Sequence, residues 1–121
     1  CHTGTPGIQE QYPLLLDESM NGKISLSRVA EVVAEEPARE FKLAEKGFLR
    51  PGFDADVVIF DPQDQTRHSS DSALSKCGWT CYDGRVTRGR IHRTMVRGRD
   101  VYVDREVVGE PGWGRLARPT I

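Results

Sequence analysis

Few residues of this chain could do chemistry, and they are widely spaced. Histidines stand at positions 2, 68 and 92, and cysteines at 1, 77 and 81. Cys77 and Cys81 form a C-x3-C pair, with His68 upstream and His92 downstream. A zinc site needs four such ligands converging as a tetrahedron. A pair set in a Gly- and Trp-containing loop reads instead as free, partly buried thiols. Asp54, Asp56 and Asp61 offer carboxylates for a metal or an acid–base pair. Asp54 and Asp56 lie in a Gly/Pro-rich turn, where aspartate is expected for turn hydrogen bonding, so they read as structural. Arg85, Arg88, Arg90, Arg93, Arg97 and Arg99 make a stripe that could grip phosphates. No aromatic residue interleaves to stack on bases, and Asp83 and Asp100 flank it. A solvated strand face, or an interface with acidic partners, is the better expectation, and nucleic acid is disfavoured.

The elements that must position these groups fall in two runs. "GTPG" at residues 4–7 is a turn. Ile8, Tyr12, Leu15, Leu16 and Met20 recur at helical spacing, with Pro13 expected to begin or kink that helix and "NG" at 21–22 to end it. "RVAEVVAEE" predicts a second helix capped by Ser25 or Ser27, with Val29, Val32 and Val33 on its apolar face. Pro37 is expected to start a third, with Ala38, Phe41 and Leu43 inward.

After Gly47, "DADVVIFD" predicts a strand buried on both faces. Residues 62–84 read as a long polar connection, anchored by Trp79 and Tyr82. "GRIHRTMVRGRDVYVDREVV" then predicts strand, turn, strand, turn and a short last strand. The tail, residues 109–121, is expected to lie along a surface, pinned by Trp113. Helices first and strands after make an α+β pattern, or the seam between two domains that are each incomplete.

The length of 121 residues suits one domain with its own core. A net charge of −1 argues against general binding to nucleic acid or anionic membrane. No apolar run approaches the ~20 residues of a membrane span, and the start lacks the pattern of a signal peptide. An odd cysteine count fits a reducing compartment, so the expected location is cytoplasmic.

Four stretches in order, "GTPGIQEQYPLLLDE", "GKISLSRVAEVVAEEPAREFKL", "KGFLRPGFDADVVIFDP" and "SKCGWTCYDGRVTRGRIHRTMVRGRDVYVDREV", together resemble the carboxyl-terminal third of a dihydroorotase. That family belongs to the cyclic amidohydrolases, with the allantoinases and hydantoinases. The resemblance covers residues 4–118. It implies a helical segment, residues 1–45, like the end of a (β/α)8 barrel, and a β-rich segment, residues 46–121, like part of a small β-sandwich. The implied parent reaction is ring closure of N-carbamoyl-aspartate to dihydroorotate in pyrimidine synthesis.

The resemblance also assigns roles. Pro6 and Gly7 match the family's Pro-Gly loop, whose backbone lines the substrate pocket, and His2 is a candidate for holding the substrate carboxylate. Gln9 stands where the family commonly has glutamate, and Cys81 where it commonly has proline. The parent family binds zinc through a His-x-His, a lysine, further histidines and an aspartate. No His-x-His occurs here, so no cofactor is expected in this chain and no catalytic group is assigned to it. The chain is expected to be a piece of something longer. Its partners are then a barrel-bearing chain or a second copy, met through the strand edges at residues 55–61 and 89–108. A small-molecule substrate is expected only if the barrel is supplied. Two other readings stand beside this one: an inactive assembly or binding domain derived from such an enzyme, and a polyanion-binding module.

Overall fold

The structure, a computed structural model, describes residues 4–120. The first helix, α1, spans Ile8–Met20, as its apolar spacing predicts. Pro13 sits inside it, buried with Glu10 and Leu16. Asn21 ends it, its N–H reaching the Asp17 carbonyl at 3.0 Å, and Gly22 follows at φ 74°. Ile8 is 90% exposed, so the buried face runs through Glu10, Pro13 and Leu16 and leaves the first apolar residue outside.

Ser25 caps the next helix, its hydroxyl accepting from the Arg28 N–H at 3.1 Å. The sequence predicts a break and a fresh start at Pro37. The structure instead has α2, Leu26–Ala30, pass through a π-helical turn, Glu31–Glu35, directly into α3, Glu36–Glu40. Proline has no N–H for the carbonyl four residues back, and widening the turn just before it accommodates that loss. Val29 and Ala38 are buried, whereas Phe41, expected inside, is 66% exposed because the helix has already ended at Glu40. Gly47 then approaches the helix closely at φ 84°: a Cβ there would lie 2.6 Å from Ala38 Cβ and 2.7 Å from the Ala34 carbonyl oxygen.

Four strands pair in the order β1-β2-β3-β4, namely Val57–Arg67, Val86–Val96, Arg99–Val103 and Glu106–Val107. Two expectations for β1 are corrected. It runs on to Arg67, through residues assigned to the polar connection, and Pro62 is tolerated because β1 is an edge strand. It is also not buried on both faces, since Ile59 is 47% exposed. The β2–β3 hairpin turns on Arg97 and Gly98, at φ 47° and 75°, and the β3–β4 hairpin on Asp104 and Arg105, at 46° and 78°. Two successive residues with positive φ match the twist of paired strands. A bulge between Thr94 and Met95 shifts the β2–β3 register.

The chain divides into two compact units. One holds α1 with Asp61–Arg90, and the other holds Ser25–Phe60 with β3 and β4. This division interleaves along the chain. No described helix is long and apolar enough to cross a membrane.

Candidate functional site

The Pro6–Gly7 turn leads directly into α1. Gly4 takes φ 85°, and Gly7 is the N-cap of α1 at φ −121° and ψ 7°. Nothing lies within 4 Å of where a Gly7 Cβ would stand, so packing within the described chain does not demand glycine here. The backbone at Gly7 is open to close approach from outside. His2, the third candidate from the sequence, lies outside the described residues.

In the first turn of α1, the Gln9 side chain holds a second segment against this helix. Its Nε2 donates to the Ser72 carbonyl at 3.1 Å, and its Oε1 accepts from the Leu74 N–H at 2.8 Å. The amide thus straddles Ala73 as a neighbouring strand residue would. Only a side chain with one donor and one acceptor can do both. A glutamate, the residue common at this place in the resembling family, lacks the donor when ionised. The clamp fixes the start of the 69–84 loop, where Ser70 N–H donates to Asp83 Oδ1 at 3.1 Å and Thr80 N–H to Ser70 Oγ at 3.3 Å.

The unit that holds α1 also buries polar side chains that nothing in the sequence groups together. Glu10, His68, Thr80 and Thr87 are all buried. His68 Nε2 is 3.0 Å from Thr87 Oγ1, and the His68 N–H and carbonyl bond the Arg85 carbonyl and Gly84 N–H, each at 2.9 Å. Glu10 Oε2 is buried without a hydrogen-bond partner. Burial pushes the His68 pKa down; the nearby Glu10 charge opposes this and Arg85 reinforces it. A neutral imidazole is therefore the resting form. Nothing in the sequence signalled Thr87, which stands between exposed Val86 and Arg88.

The remaining sequence candidates resolve into structural contacts. Lys46 Nζ pairs with Asp54 at 2.7 Å and with Asp56 at 2.5 Å. Asp56 also accepts from the Arg97 N–H at 2.8 Å, while the Gly98 N–H reaches the Ala55 carbonyl at 2.9 Å. Burial opposes the Asp56 charge, but Lys46 and Arg97 outweigh it and lower its pKa. The acidic turn therefore pins the β2–β3 hairpin.

In the arginine stripe, Arg85 faces Glu18 at 3.6 Å, Arg88 Asp17 at 3.8 Å, Arg90 Asp64 at 2.6 Å, Arg93 Asp100 at 3.4 Å and Arg99 Glu110 at 3.6 Å. Arg97 and Arg99 lie over the Trp113 ring at 4.4 and 4.1 Å, and the Trp113 indole N–H reaches the Val96 carbonyl at 2.8 Å. That contact anchors the tail. Cys77 and Cys81 are exposed free thiols, not the partly buried pair expected. Among the described residues no three His, Cys, Asp or Glu groups come together as a metal site, so the zinc implied by the resemblance finds no fitting ligand set there.

No protein-family model matches the sequence. Among curated proteins, a D-phenylhydantoinase of Escherichia coli O1:K1 / APEC is 40% identical over 124 residues, which span 98% of this chain and 26% of the relative. A dihydroorotase of Pyrococcus furiosus is 34% identical over 115 residues, spanning 95% and 28%. Among solved structures, the D-hydantoinase (dihydropyrimidinase) from Thermus sp. superposes with a TM-score of 0.91 at 29% identity, covering 98% of this chain and 26% of that one. The L-hydantoinase (dihydropyrimidinase) from Arthrobacter aurescens gives 0.89 at 34%, covering 95% and 26%. The chain spans about a quarter of the length of the relatives it matches. Its homologues are thus enzymes of the cyclic amidohydrolase group, hydantoinases and dihydropyrimidinases as well as a dihydroorotase.

Proposed function

We propose that this chain is part of a cyclic amidohydrolase, an enzyme that opens or closes the ring of a small cyclic amide. Its contribution is one wall of the substrate pocket, formed by the Pro6–Gly7 turn. The observation that carries this reading is the match to hydantoinases over almost the whole chain, in sequence and in fold together. Gly7 fits the role, because no contact within the described chain explains its missing side chain and a bare backbone lets a ring approach closely. The metal ligands of the family are supplied from outside the described residues, by a longer chain or by a partner. This chain's own part is to shape and support the pocket wall, through α1 and the Gln9 clamp.

Dihydroorotate is one substrate reading, supported by the "GTPG" and "SKCGWT" stretches. A substituted hydantoin is the second, favoured by 40% identity to a D-phenylhydantoinase against 34% to a dihydroorotase. The test is ring hydrolysis by the gene product containing this chain, offered dihydroorotate, a 5-substituted hydantoin and a dihydropyrimidine. Turnover of one ring selects between the two readings. Turnover of none favours the inactive assembly domain. In an active protein, Gly7→Ser keeps a good N-cap for α1 yet adds a side chain to the wall, so KM should rise while thermal stability holds. An unchanged KM would remove the Pro6–Gly7 turn from the pocket.

A further inference from the structure

The second unit contains a groove of about 270 Å³ whose lining carries four cations, Arg39, Lys42, Lys46 and Arg50, and no acidic residue. Its apolar surface comes from Phe48 and Phe53, with Ala38, Leu43 and Ala44. We propose that this groove binds a small organic oxyanion, a carboxylate or phosphate monoester carried on a compact aromatic or apolar body. The site lies outside the pocket wall assigned above and does not depend on amide chemistry.

The four cations are not equivalent. Arg39 is held by Glu36 at 2.6 Å and Glu35 at 3.2 Å, and Lys46 by Asp54 and Asp56. Lys42 and Arg50 have no acidic partner among the described residues, although every arginine of the β2–β3 stripe is engaged. A protein of net charge −1 with abundant carboxylates leaves these two together in one concave place.

The Arg50 side chain and the Lys42 backbone are also held in position before any ligand arrives. The Arg50 guanidinium lies 5.0 Å from the Phe48 ring centre and 4.2 Å from that of Phe53, and the two rings meet edge to face at 5.6 Å. A fork held on aromatic faces loses little freedom on meeting an oxyanion, and its planar donors match two oxygens on one centre. Lys42 takes φ 51° just after α3, with its N–H on the Arg39 carbonyl at 3.1 Å. Its own carbonyl accepts from the Thr120 N–H and hydroxyl, each at 2.9 Å, so the tail closes one side of the groove. Charged donors beside an apolar surface in a small concavity are the ordinary makings of a small-anion site.

The experiment is titration of the chain with phenyl phosphate, benzoate and inorganic phosphate, followed by amide chemical shifts. Phenyl phosphate or benzoate should shift Lys42, Phe48, Arg50 and Phe53 saturably, and whichever binds tighter identifies the oxyanion. Inorganic phosphate, lacking the apolar body, should bind roughly tenfold more weakly or worse. Arg50→Ala and Lys42→Ala should each weaken the organic anion about fivefold or more. Arg50→Lys, keeping charge without the fork, should fall between. Arg88→Ala, in the other unit, should change nothing. Lys42 is exposed, so its variant reads the site even if Arg50→Ala disturbs the fold. No saturable shift with either organic anion, or binding unaltered by both alanine variants, overturns the proposal.

Discussion

Replacing Gln9 tests the clamp behind the Pro6–Gly7 turn. Gln9→Ala removes two exposed hydrogen bonds, the donor to the Ser72 carbonyl at 3.1 Å and the acceptor for the Leu74 N–H at 2.8 Å. At about 0.5–1.5 kcal/mol each, the segment around Ala73 should lose about 1–3 kcal/mol of local stability. The Leu74 amide reports this directly, because its proton is the one bonded to Gln9. With about tenfold per 1.4 kcal/mol, its exchange should quicken by about fivefold to a hundredfold, while Val29 in the other unit keeps its rate. Gln9→Glu separates the two bonds. Its carboxylate still accepts from Leu74, so that amide stays protected, but it sets an anionic oxygen against the Ser72 carbonyl. The resulting loss should be relieved as pH falls through the carboxylate range, about 4.3, where the protonated acid regains a donor. Leu74 exchange that stays within about twofold of the parent in Gln9→Ala would refute the clamp as a support of this segment.

Two further perturbations follow from the fold. Gly47→Ala should cost about 1–2 kcal/mol for its left-handed backbone and about 1–3 more for the clash with Ala38 and Ala34. Gly52→Ala, at φ 89° with nothing near its Cβ, should show only the first part; equal urea midpoints for the two variants would deny the close approach at Gly47. His68 has a pKa lowered from 6.5 in the fold, so the unfolded chain takes up the proton first as pH drops. Stability should therefore fall below pH 6.5, by at most about 1.4 kcal/mol per pH unit, and level off below the folded pKa. Denaturation midpoints of the parent and His68→Gln across pH 5–7 should show that slope only in the parent; parallel curves would place His68 outside the linkage.

What the sequence made legible was local. The α1 limits, the Ser25 cap and the β2–β3 turn follow from spacing, a hydroxyl and the glycine-bearing Arg97–Gly98 dipeptide, each acting within a few residues. What stayed hidden depends on distant partners. Pro37 looked like a helix start because a π-helical turn that lets a helix pass through proline leaves no compositional mark. The polar half of β1 looked like a loop because its pairing is set by β2, about 25 residues away. Gln9 was visible only as a departure from the resembling family. Its function needed Ser72 and Leu74, 63 and 65 residues on, before the choice of amide over carboxylate made physical sense.

The charge pattern shows why counting residue types misleads. Six arginines between residues 85 and 99 suggest a polyanion grip, yet five face a carboxylate and Arg97 lies on Trp113. A phosphate chain approaching this face would have to displace those carboxylates or bear their repulsion, so its net gain per arginine shrinks toward that of a screened surface pair. Lys42 and Arg50 attract less notice in the sequence, being two isolated cations flanking "LAEKGFL". In the groove they meet an incoming anion without an acidic partner to remove. Under the same Coulombic rule, two charges without a carboxylate partner in one groove, one of them held on aromatic rings, are a better anion receptor than six engaged ones spread along a strand.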